Sequence, residues 1–70
     1  MKIGTSNQLK GTVVFIHDGA VNGTVGIELA SGEVITSSIT MESIQRLGLR
    51  VGAPAYACIK ATDVIVCVDD

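Results

Sequence analysis

Seventy residues, 47% apolar and only 17% charged, carry a formal net charge of −2, which sets the expectation of a single domain over residues 1–70. A chain this short hides only about 60% of the surface its unfolded form exposes, so its aliphatic surface calls for subunit association, contiguous apolar patches being the mark of interfaces. The same numbers exclude several classes: no basic stripe answers nucleic-acid phosphates, Phe15 and Tyr56 are the only aromatic side chains on which a base would stack, and no run of about 18 apolar residues spans a membrane.

The first residues show no long apolar leader, which predicts a cytoplasmic chain. In Leu9–Ile16 apolar side chains fall on much of both faces of one strand. His17-Asp18-Gly19 is turn chemistry, with Gly19 free to take positive φ. Val21, Gly23, Val25, Ile27 and Leu29 then alternate with Asn22, Thr24, Gly26 and Glu28, the period of two of a half-buried strand. Gly23 and Gly26 inside it predict a bulge or a sharp coil of the sheet. Ala30-Ser31-Gly32 turns the chain into a third strand, Glu33–Ile39.

Thr40 reads as a helix N-cap before Met41–Leu47, with Glu42 in the first turn and Arg46 near the end, as the helix dipole favours. Gly48 is the stop, and Ile44, Leu47 and Leu49 are expected to face the core. After the turn Val51–Pro54, two further strands are predicted at Ala55–Ala61 and Val64–Val68, with Asp69-Asp70 frayed. Three strands, a short helix and two strands are the layout of an all-β, five-stranded OB-like Greek-key barrel.

Cys58 and Cys67 sit among Val, Ile and Ala, where free thiols behave as small hydrophobes. They read as two core thiols, although a two-residue turn at Thr62-Asp63 would set them opposite each other across a hairpin. Catalysis has little to work with. His17 is the sole histidine; it sits at a turn beside Asp18 and reads as one of a solvated polar pair. No Ser/His/Asp set can be assembled without it, one histidine with two strand cysteines makes no clustered metal site, and the chain is expected not to be an enzyme.

Anion binding is better supported. A dianion leaving water needs several donors and compensating positive charge. Thr5 and Ser6 offer hydroxyls beside Gly4, Lys60 offers a cation, and Thr40 offers a hydroxyl next to free amides at a helix start. Each has an ordinary structural use as well: a capping threonine, an edge-protecting lysine.

The ordered segments Asn7–Val14, Gly19-Ala20-Val21-Asn22, Ser37-Ser38-Ile39-Thr40, Leu47-Gly48-Leu49, Val51-Gly52 and Ile59-Lys60-Ala61-Thr62 resemble the molbindins. These are the small stand-alone form of the Mop (molybdenum-pterin-binding) domain, which is also similar to modules of molybdate-responsive regulators and transporter ATPases. The resemblance covers essentially the whole chain. It implies a barrel that dimerises by exchanging strands, three dimers forming a homohexamer, and binding of molybdate or tungstate at subunit interfaces for intracellular storage. The ligand is implied to be the bare oxyanion, with no organic cofactor and no side chain bonded to the metal atom.

Residue by residue, the resemblance implies a principal site of Thr5, Ser6, Asn7, Thr40, Lys60 and Ala61. Asn7, Thr40, Lys60 and Ala61 match the family pattern, whereas Gly4, Thr5 and Ser6 stand where the family has Ser, Ala and Arg. Losing a charge-assisted donor removes about 1.5–3 kcal/mol, roughly ten- to a hundredfold in affinity, part of which the two hydroxyls recover. A second class of site, lined by backbone near the first turn, matches at Gly19, Ala20 and Val21. The alternative reading is a Mop-like oligomerisation module whose principal site is weakened or lost.

Overall fold

A computed structural model describes residues 2–70. Its elements are β1 (Asn7–His17), β2 (Asn22–Leu29), β3 (Val34–Thr40), α1 (Met41–Arg46), β4 (Pro54–Ile59) and a single 3-10 turn, Ala61–Asp63. The four strands make one antiparallel sheet in the order β3-β2-β1-β4. This is an all-β, OB-like arrangement with one short helix between the third and fourth strands, as the sequence predicts.

β1 holds the sheet together because it serves two neighbours. Its first half, Asn7–Thr12, pairs with β4, and Gly11–His17 pairs with β2. A bulge at Val14 divides the β2 ladder: Val13 faces Ile27, and Phe15 already faces Gly26. The extra residue inverts the alternation, so Val13 and Ile16 both turn to the core. This explains a strand that reads as apolar on both faces. The glycines of β2 do predict the irregularity, but it lies in the partner strand. The Phe15 ring occupies the place a Gly26 Cβ would need, so the close approach requires glycine there.

Val13 and Val25 are fully enclosed, with Ile27, Ile44 and Ala57 completing the buried core. Thr40 caps α1 as expected, its Oγ1 accepting from the Ser43 amide at 3.1 Å. Gly48, at φ 64°, ends the helix in the left-handed conformation. Of the three side chains expected to face the core, Ile44 is buried and Leu49 packs against it, but Leu47 is the C-cap residue and is exposed. Gly19 corrects another expectation. It does not adopt positive φ; instead a Cβ there would strike the Asn22 carbonyl, so the missing side chain is what the turn uses.

The largest departure is at the C-terminal end. Val64–Val68 forms no strand within the chain, and the segment runs out from the Ala61–Asp63 turn with Ile65, Val66 and Val68 at 91%, 84% and 84% exposure. β3 and β4 are therefore free edges. Between them lies an open groove of about 400 Å³, floored by Val25, Ile27, Ile35, Ile39 and Leu49 and walled by the edge residues Ala55–Ile59. The chain's own arm, Val64–Val68, is not among the residues that line it. The cysteines separate accordingly: Cys58 is half-buried and Cys67 is exposed, so only one of them is near a core.

Candidate anion-binding site

The predicted principal-site residues fall into two groups. At one end of the sheet, Asn7 opens β1 and pairs with Ile59, the last residue of β4. The Asn7 Nδ2 donates to the Ile59 carbonyl at 3.1 Å, pinning the loop that carries Thr5 and Ser6 beside Lys60 and Ala61. Gln8, which sequence reasoning missed, holds the same loop from the other side, its Nε2 donating to the Thr5 carbonyl at 3.1 Å. Thr5 Oγ1 makes only a long contact to the Asn7 carbonyl, 3.5 Å, so its proton is available to a better acceptor. Ser6 and Lys60 are exposed, and Lys60 opens the Ala61–Asp63 turn without a capping bond from its side chain. Hydroxyls, one cation and turn amides thus share one corner, and that is a chemistry suited to a small anion.

Thr40 lies elsewhere. It pairs with Asn22 at the start of β2, next to the end of β1 that is farthest from Asn7. The eleven residues of β1 span about 33 Å along the strand at about 3.3 Å per residue. The Thr40 hydroxyl is also occupied, since besides capping the helix it donates to Ser43 Oγ at 2.9 Å. Its neighbours are Gly19, Ala20 and Val21, the residues of the second predicted site. The Met41 amide donates to the Val21 carbonyl at 2.8 Å, fixing this turn against the helix start. Gly19, Ala20 and Val21 are all exposed.

Electrostatically both corners are open to water. No buried side-chain nitrogen or oxygen among the described residues lacks a hydrogen-bond partner, so neither corner holds a desolvated donor waiting for a ligand within one chain. Among the described residues no group of three or more His, Cys, Asp or Glu stands together for a metal ion. No helix of the structure is long and apolar enough to cross a membrane.

The TOBE domain model matches residues 4–66. A relative described as a probable molybdenum-pterin-binding protein, from Haemophilus influenzae, is 48% identical over 69 residues, covering 99% of this chain and 100% of the relative. The solved structure of MopII from Clostridium pasteurianum superposes with a TM-score of 0.90 at 42% identity, covering 96% of this chain and all of that one. The cytoplasmic molybdate-binding protein ModG, solved with molybdate bound, matches with a TM-score of 0.88 at 46% identity, over 93% of this chain and 46% of its own.

Proposed function

Because this chain belongs to the TOBE-domain family and, within it, to the molybdenum-pterin-binding (Mop) proteins, we propose that it binds molybdate or tungstate as a bare oxyanion, at seams between its own copies, and serves as an intracellular store. Residues 1–70 act as one such binding unit, in the cytoplasm, without catalysis and without an organic cofactor. One observation carries the reading: the Asn7–Ile59 bond gathers Thr5, Ser6, Lys60 and Ala61 into one corner. Lys60 supplies the charge, the Thr5 and Ser6 hydroxyls and the Ala61 amide supply neutral donors, and Asn7 tightens the loop.

Thr40 sits at the opposite end of β1, so its part in the same cage is supplied from a second copy. The exposed arm gives the means of association. Val64–Val68 is an apolar ribbon without a place of its own, and the groove between β3 and β4 is an apolar slot without an occupant. Exchange of arms between two copies satisfies both. In the single chain Val51 and Val21, neither of which lines the groove, are 62% and 70% exposed, apolar surface that would remain for contacts bringing three such dimers into a hexamer. The Gly19-Ala20-Val21 turn, with its exposed backbone, furnishes the second class of site.

Isothermal titration with molybdate, tungstate and sulfate tests the proposal. Heat is expected with the two larger oxyanions and little with sulfate, because a seam shaped for the larger tetrahedron loses hydrogen-bond contact with the smaller one. Equal heats for sulfate, or none for any, would refute it. A second reading is favoured by one specific observation: Gly4 and Ser6 stand at the loop where the resemblance implies Ser and Arg, leaving a pure assembly module. Ser6→Arg separates the two. Binding confined to that variant selects the assembly module.

A further inference from the structure

Two neighbouring carboxamides at the start of β1 hold the anion corner in different ways. Successive side chains of a strand point to opposite faces, so Asn7 and Gln8 diverge. Asn7 reaches across to β4, its Nδ2 donating to the Ile59 carbonyl at 3.1 Å. Gln8 folds back along its own chain, its Nε2 donating to the Thr5 carbonyl at 3.1 Å and, over a longer 3.4 Å, to the Ile3 carbonyl. The nitrogen end of a carboxamide carries two hydrogens, one for each carbonyl; its oxygen, turned there, would face two acceptors. We propose that Gln8 is a positioning residue for the oxyanion: by holding the Ile3 and Thr5 carbonyls it aims the backbone amides of Gly4 and Ser6 at the bound anion. The inference rests on the oxyanion reading above.

Carbonyl and amide are linked because they share a peptide unit. Each unit is planar, and in the trans form its C=O and N–H point in opposite directions. Among the described residues no peptide bond is cis. With the Ile3 carbonyl turned to Gln8, the Gly4 amide therefore points away from it, and the Thr5 carbonyl sets the Ser6 amide the same way. Among the described residues neither amide donates to a backbone or side-chain acceptor. The strand face away from Gln8 is the one from which Asn7 binds Ile59, the residue before Lys60. Gly4 is uncrowded, since nothing beyond its chain neighbours lies within 4 Å of where a Cβ would stand.

Ser6 counts here for its backbone as well as its hydroxyl. An arginine side chain at that position would bring a charge that serine lacks, but every residue except proline brings an amide. How many amides converge on the anion then depends on how the loop is held, and that is the part of Gln8. A dianion rewards such convergence, because a hydrogen bond to a charged acceptor is roughly twice as strong as one between neutral groups. Without the Gln8 donors the two carbonyls turn freely to water, and the two amides lose their common direction.

Gln8→Met tests the role, methionine having the same side-chain length with neither charge nor donor. Titration calorimetry with sodium molybdate is expected to show an affinity about fivefold weaker than the parent's, the net worth of one hydrogen bond. In the nitrogen-15-labelled full chain, the amide signals of Gly4, Ser6 and Ala61 should move as molybdate binds. In Gln8→Met the Gly4 and Ser6 movements should shrink sharply while that of Ala61 persists, with the urea midpoint close to the parent's. Signals of Gly4 and Ser6 that stay still in the parent as heat is released would overturn the proposal. So would a variant that loses the Ala61 movement and its urea midpoint together, the mark of a merely structural role. Heat in the parent with equal affinity in the variant ends the role of Gln8 alone; no heat in the parent with any oxyanion ends the oxyanion reading and this role with it.

Discussion

Val66→Ala tests the exposed arm where its effect is easiest to calculate. In the single chain Val66 is 84% exposed, so truncating it costs the subunit fold almost nothing, surface changes of this kind falling within about 0.5 kcal/mol. If the arm is seated in a partner's groove, the same side chain is buried among Val25, Ile27, Ile35 and Ile39. Removing two carbon groups at about 0.8 kcal/mol each costs about 1.6 kcal/mol per arm, and a two-fold exchange counts it twice. About 3 kcal/mol is roughly two hundredfold in the dimer dissociation constant. The assay is urea unfolding at several protein concentrations, because the stability of an exchanged dimer depends on concentration, with sedimentation to fix the mass. Ile65→Ala, on the outward side of the arm, is the control and should shift the constant far less. An unchanged constant for Val66→Ala, or unfolding independent of concentration in the parent, would refute the exchange.

Lys60→Ala should weaken molybdate binding by roughly ten- to a hundredfold, the worth of about 1.5–3 kcal/mol for a charged donor; titration calorimetry reads this directly. Asn7→Ala removes the bond to the Ile59 carbonyl, so it should cost about 1 kcal/mol of stability and lower anion affinity without touching the charge. Thr40→Ala should cost about 0.5–2 kcal/mol through the lost helix cap, measured by urea unfolding. Gly23→Ala places a Cβ within 2.8 Å of the His17 carbonyl and 2.9 Å of Ile44 Cδ1 and Met41 Sδ, an overpacking expected to cost about 1–3 kcal/mol in the same assay.

Most of the sheet was legible because its signals are local. The alternation of Val21–Leu29, the Thr40 cap and the Gly48 stop are each decided within a few residues, and each appears where its chemistry says it should. What failed needed information from outside the segment. Val64–Val68 has strand composition, yet a strand exists only when an edge is paired, and no edge of the same chain receives it. The bulge at Val14 was misplaced by one strand because the glycine that permits it and the aromatic that exploits it lie on opposite sides of a ladder. Leu47 reads as core by spacing, but the helix ends at Arg46, one residue too soon to turn it inward.

The candidate site was legible in part. Thr5, Ser6, Asn7, Lys60 and Ala61 come together because the strand register links the first and last residues of the β1–β4 ladder. Thr40 does not join them, since side-chain type carries no record of which end of the sheet a residue occupies. Gln8 escaped notice for a related reason: its role is to fold back on the Thr5 and Ile3 carbonyls, a geometry without a composition signature.

The Asn7–Ile59 contact joins residues 52 positions apart, whereas β1, β2 and β3 follow one another through short turns. Closing long loops costs more chain entropy and takes longer, which predicts that the three-strand meander assembles early and β4 docks last. The corner that gathers the hydroxyls and Lys60 is completed only at that final closure. On that order, the corner carrying Thr5, Ser6 and Lys60 lacks half its walls until β4 docks. On the proposed exchange, crowding of newly made copies would govern which subunit the arm beyond β4 finds.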